Sequence, residues 1–307
     1  MFLPGTRPVA QNTSAQPALS WSIVGRGAIG LLAACRLQLA GFDVTLWLRQ
    51  PQSCSVEFDE HQLTFQPATA PLSAVLIPVK SYAVTEAIQA LLPALAPDAQ
   101  LVLSHNGMGS IEQVKPMLAP GHGLWFLTTT HGALKQPDTV QHTGTGSSTL
   151  AALNDAAKIK QQQVLQAMDV ALGPVTLTDN IQPALWQKLA INAVINPLTA
   201  LYNCRNGELA SLKYRHHIEA LVTEVCQVAA ICGYPLNEPT TLQTVLRVIN
   251  DTAQNFSSMQ QDFAHGRRSE IDAITGYIVQ QAALHNISVP HNQALLQQIL
   301  QRQQYRH

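Results

Sequence analysis

Charge is scarce in this 307-residue chain: Asp, Glu, Lys and Arg make up 12% of it, against roughly 25% in an average globular domain. Neither sign is in excess, with 18 basic and 19 acidic side chains for a net charge of −1, so no long-range field gathers nucleic acid or an anionic membrane. The five cysteines form no C-x-x-C pair and no zinc spacing, a pattern that argues against a disulfide framework and for buried thiols in a reducing compartment. Eleven histidines are present without any H-E-x-x-H, and the adjacent His216 and His217 cannot both face one ion from a helix, so no metal site is expected. Long apolar runs are also missing. The most apolar stretch, 185–201, is interrupted by Lys188, Asn192, Asn196 and Pro197, which leaves nothing suited to crossing a bilayer. The first twenty residues carry Pro4, Pro8 and Pro17 and no apolar core of the kind a secretory signal needs. The expectation is a cytoplasmic protein with no membrane and no nucleic-acid partner.

What is present divides the chain. Its length is about twice that of a usual domain, so two domains are expected. Residues 1–19, rich in Pro, Gln, Thr and Ser, read as a disordered leader. From Ser20 to Asp179 strand and helix signals alternate: strands at 21–24, 43–48, 74–79, 100–104 and 124–130, with helices at 29–40, 84–95 and 110–118. Such alternation predicts an α/β domain with a parallel, doubly wound sheet. After about Lys158 the apolar spacing turns helical, at 159–171, 181–196, 216–233, 240–251, 269–286 and 291–305. The strand-like stretch 174–177 and the polar Thr178-Asp179-Asn180 place the boundary, and residues 180–307 read as an all-helical C-terminal domain that would bind substrate.

Gly25-Arg26-Gly27-Ala28-Ile29-Gly30 fits G-x-G-x-x-G directly after a strand and at the opening of a helix. Glycines there permit a tight turn and close approach of backbone to a diphosphate, and the helix N-terminus offers free N–H groups to the anion. This makes the sheet a Rossmann-type dinucleotide-binding one. The following strand, Val44 to Leu48, ends in Arg49, with no Asp or Glu beside it to accept from a ribose 2′-hydroxyl. A guanidinium clasps a 2′-phosphate with paired charge-assisted bonds, so NADP is favoured over NAD.

Lys188, Asn192 and Asn196 recur every four residues and share one face of an otherwise apolar helix. Polar groups buried without partners would cost several kcal/mol, roughly 2–7 by transfer measures. Two readings stand: a structural hydrogen-bond network with the neighbouring domain, or a polar ligand cleft. In a cleft, the ammonium of Lys188 could stabilise the negative charge that develops on a ketone oxygen during hydride transfer and supply its proton. Asn106, after the strand 101–104, lies at the carboxyl end where open α/β sheets bind ligands, although an isolated asparagine is more often a turn residue. Ser257, Ser258 and Glu270 by themselves carry no weight.

Taken together, the glycine loop, Trp47-Leu48-Arg49, His105 to Gly109, Thr128 to His131, the run 185–209, Phe256 to Asp262 and Ser269 to Asp272 resemble the ketopantoate reductase family, in the family's order, over 20–302. The resemblance implies reduction of 2-dehydropantoate to (R)-pantoate with NADPH in pantothenate synthesis, by a monomer or homodimer acting on a small 2-ketoacid. Residue by residue, it implies Lys188 as general acid and Asn106 between the domains, touching both nicotinamide and substrate. It implies Asn192, Asn196 and Asn206 along the substrate pocket and Ser258 on the substrate carboxylate. Glu270 would hydrogen-bond the cofactor or orient a substrate hydroxyl. Arg49 would meet the 2′-phosphate, Lys80 would lie beside the cofactor, and Ala133 would touch it through backbone. The chain departs from the family in its extra leader and at Ser81-Tyr82-Ala83, where close relatives often carry a glutamine. A reductase of another small 2-ketoacid and a non-catalytic NADP-binding sensor are the rival readings. The sensor would have no need of Lys188, the asparagine stripe, Ser258 and Glu270 together.

Overall fold

A computed structural model describes residues 19–304. The short apolar run Trp21–Val24 forms β1, wholly buried, and Ala28–Leu39 forms α1 behind the glycine loop. There follow β2 (Val44–Trp47), β3 (Cys54–Phe58), β4 (His61–Pro67), β5 (Leu72–Ile77), α2 (Val84–Leu91), β6 (Leu95–Leu103), α3 (Ser110–Val114) and β7 (Gly123–Thr129). Then come β8 (Gly132–Lys135), β9 (Val140–Gly144), β10 (Ser148–Ala152), α4 (Asp155–Ile159), α5 (Gln161–Leu172) and β11 (Val175–Leu177). From α6 (Gln182–Tyr202) onward the described residues form no strand, and the α-helices are α7 (Arg215–Ile231), α8 (Glu238–Asp251), α9 (Ser258–Ala264), α10 (Thr275–Leu284) and α11 (Pro290–Gln304).

The sheet has nine strands in the order β11-β10-β7-β6-β5-β1-β2-β4-β3. Its centre, from β7 through β2, is parallel, as expected, and β4, where no strand was expected, extends it parallel to β2. Its edges are not: β10 runs antiparallel to β7 and β3 antiparallel to β4. Successive residues of the central strands serve opposite faces, as the two-residue period requires. Ala74, Leu76 and Val102 pack with α1 and α5, while Val75, Ile77, Leu101 and Leu103 pack with α2 and α3. Burial on both faces explains why these strands read as continuous apolar runs.

Several elements differ from expectation. The β3–β4 hairpin turns on Asp59 and Glu60, at φ 45° and 65°, so the glycine or asparagine that normally marks a tight hairpin is missing. The β8–β9 hairpin forms a separate two-stranded sheet. The helix expected over 269–286 is shorter, because 269–274 forms turns before α10. Pro197 does not end α6, which runs to Tyr202 and closes on Asn203 at φ 51°. Every residue from Ala193 to Ala200 is buried, and tertiary packing there outweighs the roughly 3 kcal/mol a mid-helix proline costs. The expected leader lies outside the described residues except Leu19, which is buried beside β1 rather than loose.

The helix α6 is central to the C-terminal part, packing against α7, α8, α9 and α11. Its buried side chains, with Trp186 and Leu189, join the same apolar cluster as the α2 and α3 face of the sheet. Among the described residues no helix is long and apolar enough to cross a membrane.

Candidate active site

The glycine loop is built as its residue types require. Gly25 sits at φ +78°, in the left-handed region that glycine adopts without strain, and its N–H donates to the carbonyl of Trp47 at 2.8 Å. Gly30 lies so close to its neighbours that a β-carbon there would come within 2.8 Å of Pro78 Cγ and 3.3 Å of Ile23 Cγ2. Gly27 caps α1 with no side-chain hydrogen bond, and the first turn holds no acid, so the positive end of the helix dipole is left for an anion.

Beside this loop opens a cavity of about 810 Å³, within the size range of cofactor sites. One wall is Gly25 and Arg26, the second is the chain from Leu46 to Gln52, and the third is the α2 face bearing Ala83, Glu86, Ala87 and Ala90. Arg49 lies at this cavity, largely exposed, with Nη2 3.3 Å from Glu86 Oε1. Uncapped helix amides, a glycine cradle and an arginine at the end of β2 fit the diphosphate and 2′-phosphate of NADP.

The chemistry-bearing side chains gather beyond the carboxyl ends of β5, β6 and β7. Glu270, buried in the turns before α10, ties them together. Its Oε1 accepts from the Ser81 N–H at 2.9 Å, and its Oε2 accepts from Asn106 Nδ2 at 3.1 Å and from Lys80 Nζ at 3.4 Å. Lys80 also donates to Asp262 Oδ2 at 2.6 Å. Burial works against the Lys80 charge, but Glu270 and Asp262 overcome it and hold its pKa above the ordinary lysine value.

Asn106 is set by the loop that follows β6. Gly107, at φ +83°, lies so close to the turn 270–274 that a β-carbon would fall 2.4 Å from the Ala273 carbonyl oxygen, and the Met108 N–H donates to that oxygen at 2.9 Å. Buried His105 braces the loop from inside. Its Nδ1 lies 2.9 Å from the Asn106 carbonyl oxygen and its Nε2 2.6 Å from Ser110 Oγ, an arrangement satisfied when Nδ1 carries the proton and Nε2 accepts. Burial pushes its pKa down and keeps it neutral.

Lys188 reaches the cluster from α6, and its Nζ donates to the Thr129 carbonyl oxygen at 2.7 Å, at the end of β7. Burial pushes its pKa down to about 8, with the Glu270 carboxylate opposing. Asn192 and Asn196 follow on the same helix, half-buried and buried. Asn206 and Ser258 stand outside this hydrogen-bonded group. Buried Asn206 donates from Nδ2 to Thr252 Oγ1 at 2.9 Å, while its Oδ1 is buried without a hydrogen-bond partner. Ser258 is exposed at the first residue of α9, and its neighbour Ser257 caps that helix by accepting from Gln260 N at 3.1 Å. Ala133 is half-buried on β8.

Sequence reasoning missed Asp262, Thr129 and His105 as parts of the site. Thr129 acts through a backbone carbonyl, which leaves no side-chain signal. Asp262 ends the Phe256 to Asp262 block, yet its partner Lys80 is 182 residues away in sequence.

A dinucleotide cradle on a Rossmann-type sheet, together with a part-buried lysine held by the end of a parallel strand of that sheet, defines a nicotinamide-nucleotide oxidoreductase. The chain belongs to the ketopantoate reductase family. Residues 21–155 match the family model Ketopantoate reductase PanE/ApbA, and residues 180–303 match Ketopantoate reductase PanE/ApbA C terminal. It is 41% identical over 288 residues to the 2-dehydropantoate 2-reductase of Vibrio cholerae, covering 90% of this chain and 95% of that one. To the Yersinia pestis 2-dehydropantoate 2-reductase it is 36% identical, covering 91% and 93%. Among solved structures it resembles a probable 2-dehydropantoate 2-reductase from Bacillus subtilis, with TM-score 0.76, 27% identity and 92% and 100% coverage. The fold is shared with D-mandelate dehydrogenase in complex with NADH and anilino(oxo)acetate, with TM-score 0.84 at 19% identity over 94% and 99% of the two chains.

Proposed function

We propose that this chain reduces 2-dehydropantoate to (R)-pantoate with NADPH in the cytoplasm, as a monomer or homodimer, and that its dinucleotide-binding part (20–179) and helical part (180–307) work as two domains with the substrate between them. The observation that carries this reading is Lys188, held on the Thr129 carbonyl with its pKa brought down to about 8. When bound, the reduced nicotinamide supplies a hydride to the C2 carbonyl carbon. Lys188 delivers the matching proton to the C2 oxygen, so that ketone, hydride and proton together give the hydroxyl. A lysine with a pKa near 8 is still mostly protonated at neutral pH, yet gives up its proton more readily than an ordinary one. The Thr129 carbonyl takes one of its three N–H bonds and aims the others.

Glu270 has two roles. Its negative charge opposes the loss of the Lys188 proton, and its Oε2 fixes the Asn106 amide. Asn192, Asn196, Asn206 and Ser258 are the substrate contacts in this reading, with Ser258 on the carboxylate. Arg26, Lys80 and Ala133 join the glycine loop and Arg49 as the cofactor contacts.

The test is loss of NADPH absorbance on adding 2-dehydropantoate, alongside a panel of other 2-ketoacids. Lys188→Ala is expected to lower turnover about 100-fold or more, the order of a general acid's contribution. Turnover equal to the unaltered enzyme would sink the assignment.

A further inference from the structure

The cavity beside the glycine loop presents an arrangement that binding a phosphate does not by itself call for. Among the residues lining it, Arg26 and Arg49 are cations and Glu86 is the sole carboxylate. Glu86 does not lie at random on that wall. It sits in the first turn of α2, across the cavity from the β2 end, and its Oε1 is the atom that meets Arg49 Nη2 at 3.3 Å. The guanidinium assigned to the 2′-phosphate is thus already occupied by an acid of the chain itself.

We infer that Glu86 is a specificity-determining residue: it competes with the cofactor's 2′-phosphate for Arg49, and so sets how strongly the site prefers the phosphorylated dinucleotide. This rests on the NADPH reading above. Binding a 2′-phosphate exchanges one Arg49 partner for another. The phosphate gains paired bonds to the guanidinium, and the carboxylate of Glu86 turns back to solvent. The side chains are 87% and 71% exposed, so releasing Glu86 costs little, as for other exposed ion pairs. The dianionic phosphate therefore wins, but by less than Arg49 alone would give. A dinucleotide without the 2′-phosphate does not call on Arg49, and the pair stays closed. Glu86 thereby subtracts from NADPH affinity and leaves NADH affinity alone, which narrows the preference and shortens the stay of the oxidised product.

The experiment is a direct titration of the full chain, without substrate, with NADPH, with NADH and with adenosine 2′,5′-bisphosphate, in the unaltered protein, Glu86→Gln, Arg49→Gln and the double variant. Glu86→Gln is expected to lower Kd about two- to fivefold for NADPH and for the bisphosphate, the size of an exposed ion pair, and to leave NADH unchanged. In the Arg49→Gln background the same change is expected to have no effect. Weaker NADPH binding in Glu86→Gln would mean that the acid positions Arg49 for the phosphate, and would overturn the proposal. An equal gain for NADH, or a gain undiminished without Arg49, would overturn it too. A failure of the cofactor reading itself is recognised separately: the unaltered protein would bind NADH as tightly as NADPH and ignore the bisphosphate, and the competition proposal would fall with it.

Discussion

Lys188 stands at the meeting of two opposed effects, burial lowering its pKa to about 8 and the Glu270 carboxylate raising it. The proposed acid must carry its proton, so kcat/KM for 2-dehydropantoate is expected to fall as pH rises through about 8, a limb that a pH–rate profile would show. Stability moves the other way. The pKa is depressed in the folded chain relative to 10.5, so the unfolded chain holds more protons between those values. The Lys188 contribution to stability therefore rises from about pH 8 to the unfolded pKa and is lost as pH falls back; denaturant midpoints across that window would check it. Glu270→Gln removes the opposing carboxylate, and its alkaline limb is expected to shift to lower pH. A limb that stays in place would separate Glu270 from the lysine's titration. At this scale the sequence showed residue types but not partners. The i, i+4, i+8 stripe made Lys188 conspicuous, whereas the buried Asp262 that meets Lys80 looks like any surface acid until the chain is folded.

At the scale of elements, the central parallel strands β1, β2, β5, β6 and β7 were legible because runs such as 74–77 are apolar on both faces and are followed by loop signals. The β3–β4 hairpin was not, since its turn uses Asp59 and Glu60 in a conformation usually marked by glycine. Its signal was nonetheless there: Cys54–Phe58 buries Val56 and Phe58 and exposes Ser55 and Glu57, the two-residue alternation of a strand. The reach of α6 through Pro197 was hidden for the opposite reason, a local rule overruled by packing. The loop after β6 offers a sharp test. Gly107→Ala would place a β-carbon 2.4 Å from the Ala273 oxygen at a positive φ, and a left-handed non-glycine residue alone costs about 1–3 kcal/mol. The expected outcome is a lower melting temperature together with a higher KM, because Asn106 moves with the loop. An unchanged melting temperature would show that the turn 270–274 yields instead.

For the whole molecule, the family could be read from motifs spread over 20–302, while the antiparallel edge at β10 could not, because it pairs residues distant in sequence, such as Ala152 with Trp125. Ligand linkage gives a test at this scale. A dinucleotide that binds only the folded chain stabilises it by about 2.7 kcal/mol at 100 times its Kd, so NADPH is expected to raise the melting temperature more than the same concentration of NADH. Equal shifts would count against Arg49 as a phosphate contact.

The apolar cluster that runs from the α2 and α3 face of the sheet into α6 and its neighbours has a bearing on dissection. Cleaving the polypeptide after Asn180 would leave each half with a raw oily scar, and neither piece should remain dispersed in buffer by itself. Co-expressed halves should instead find each other and reassemble.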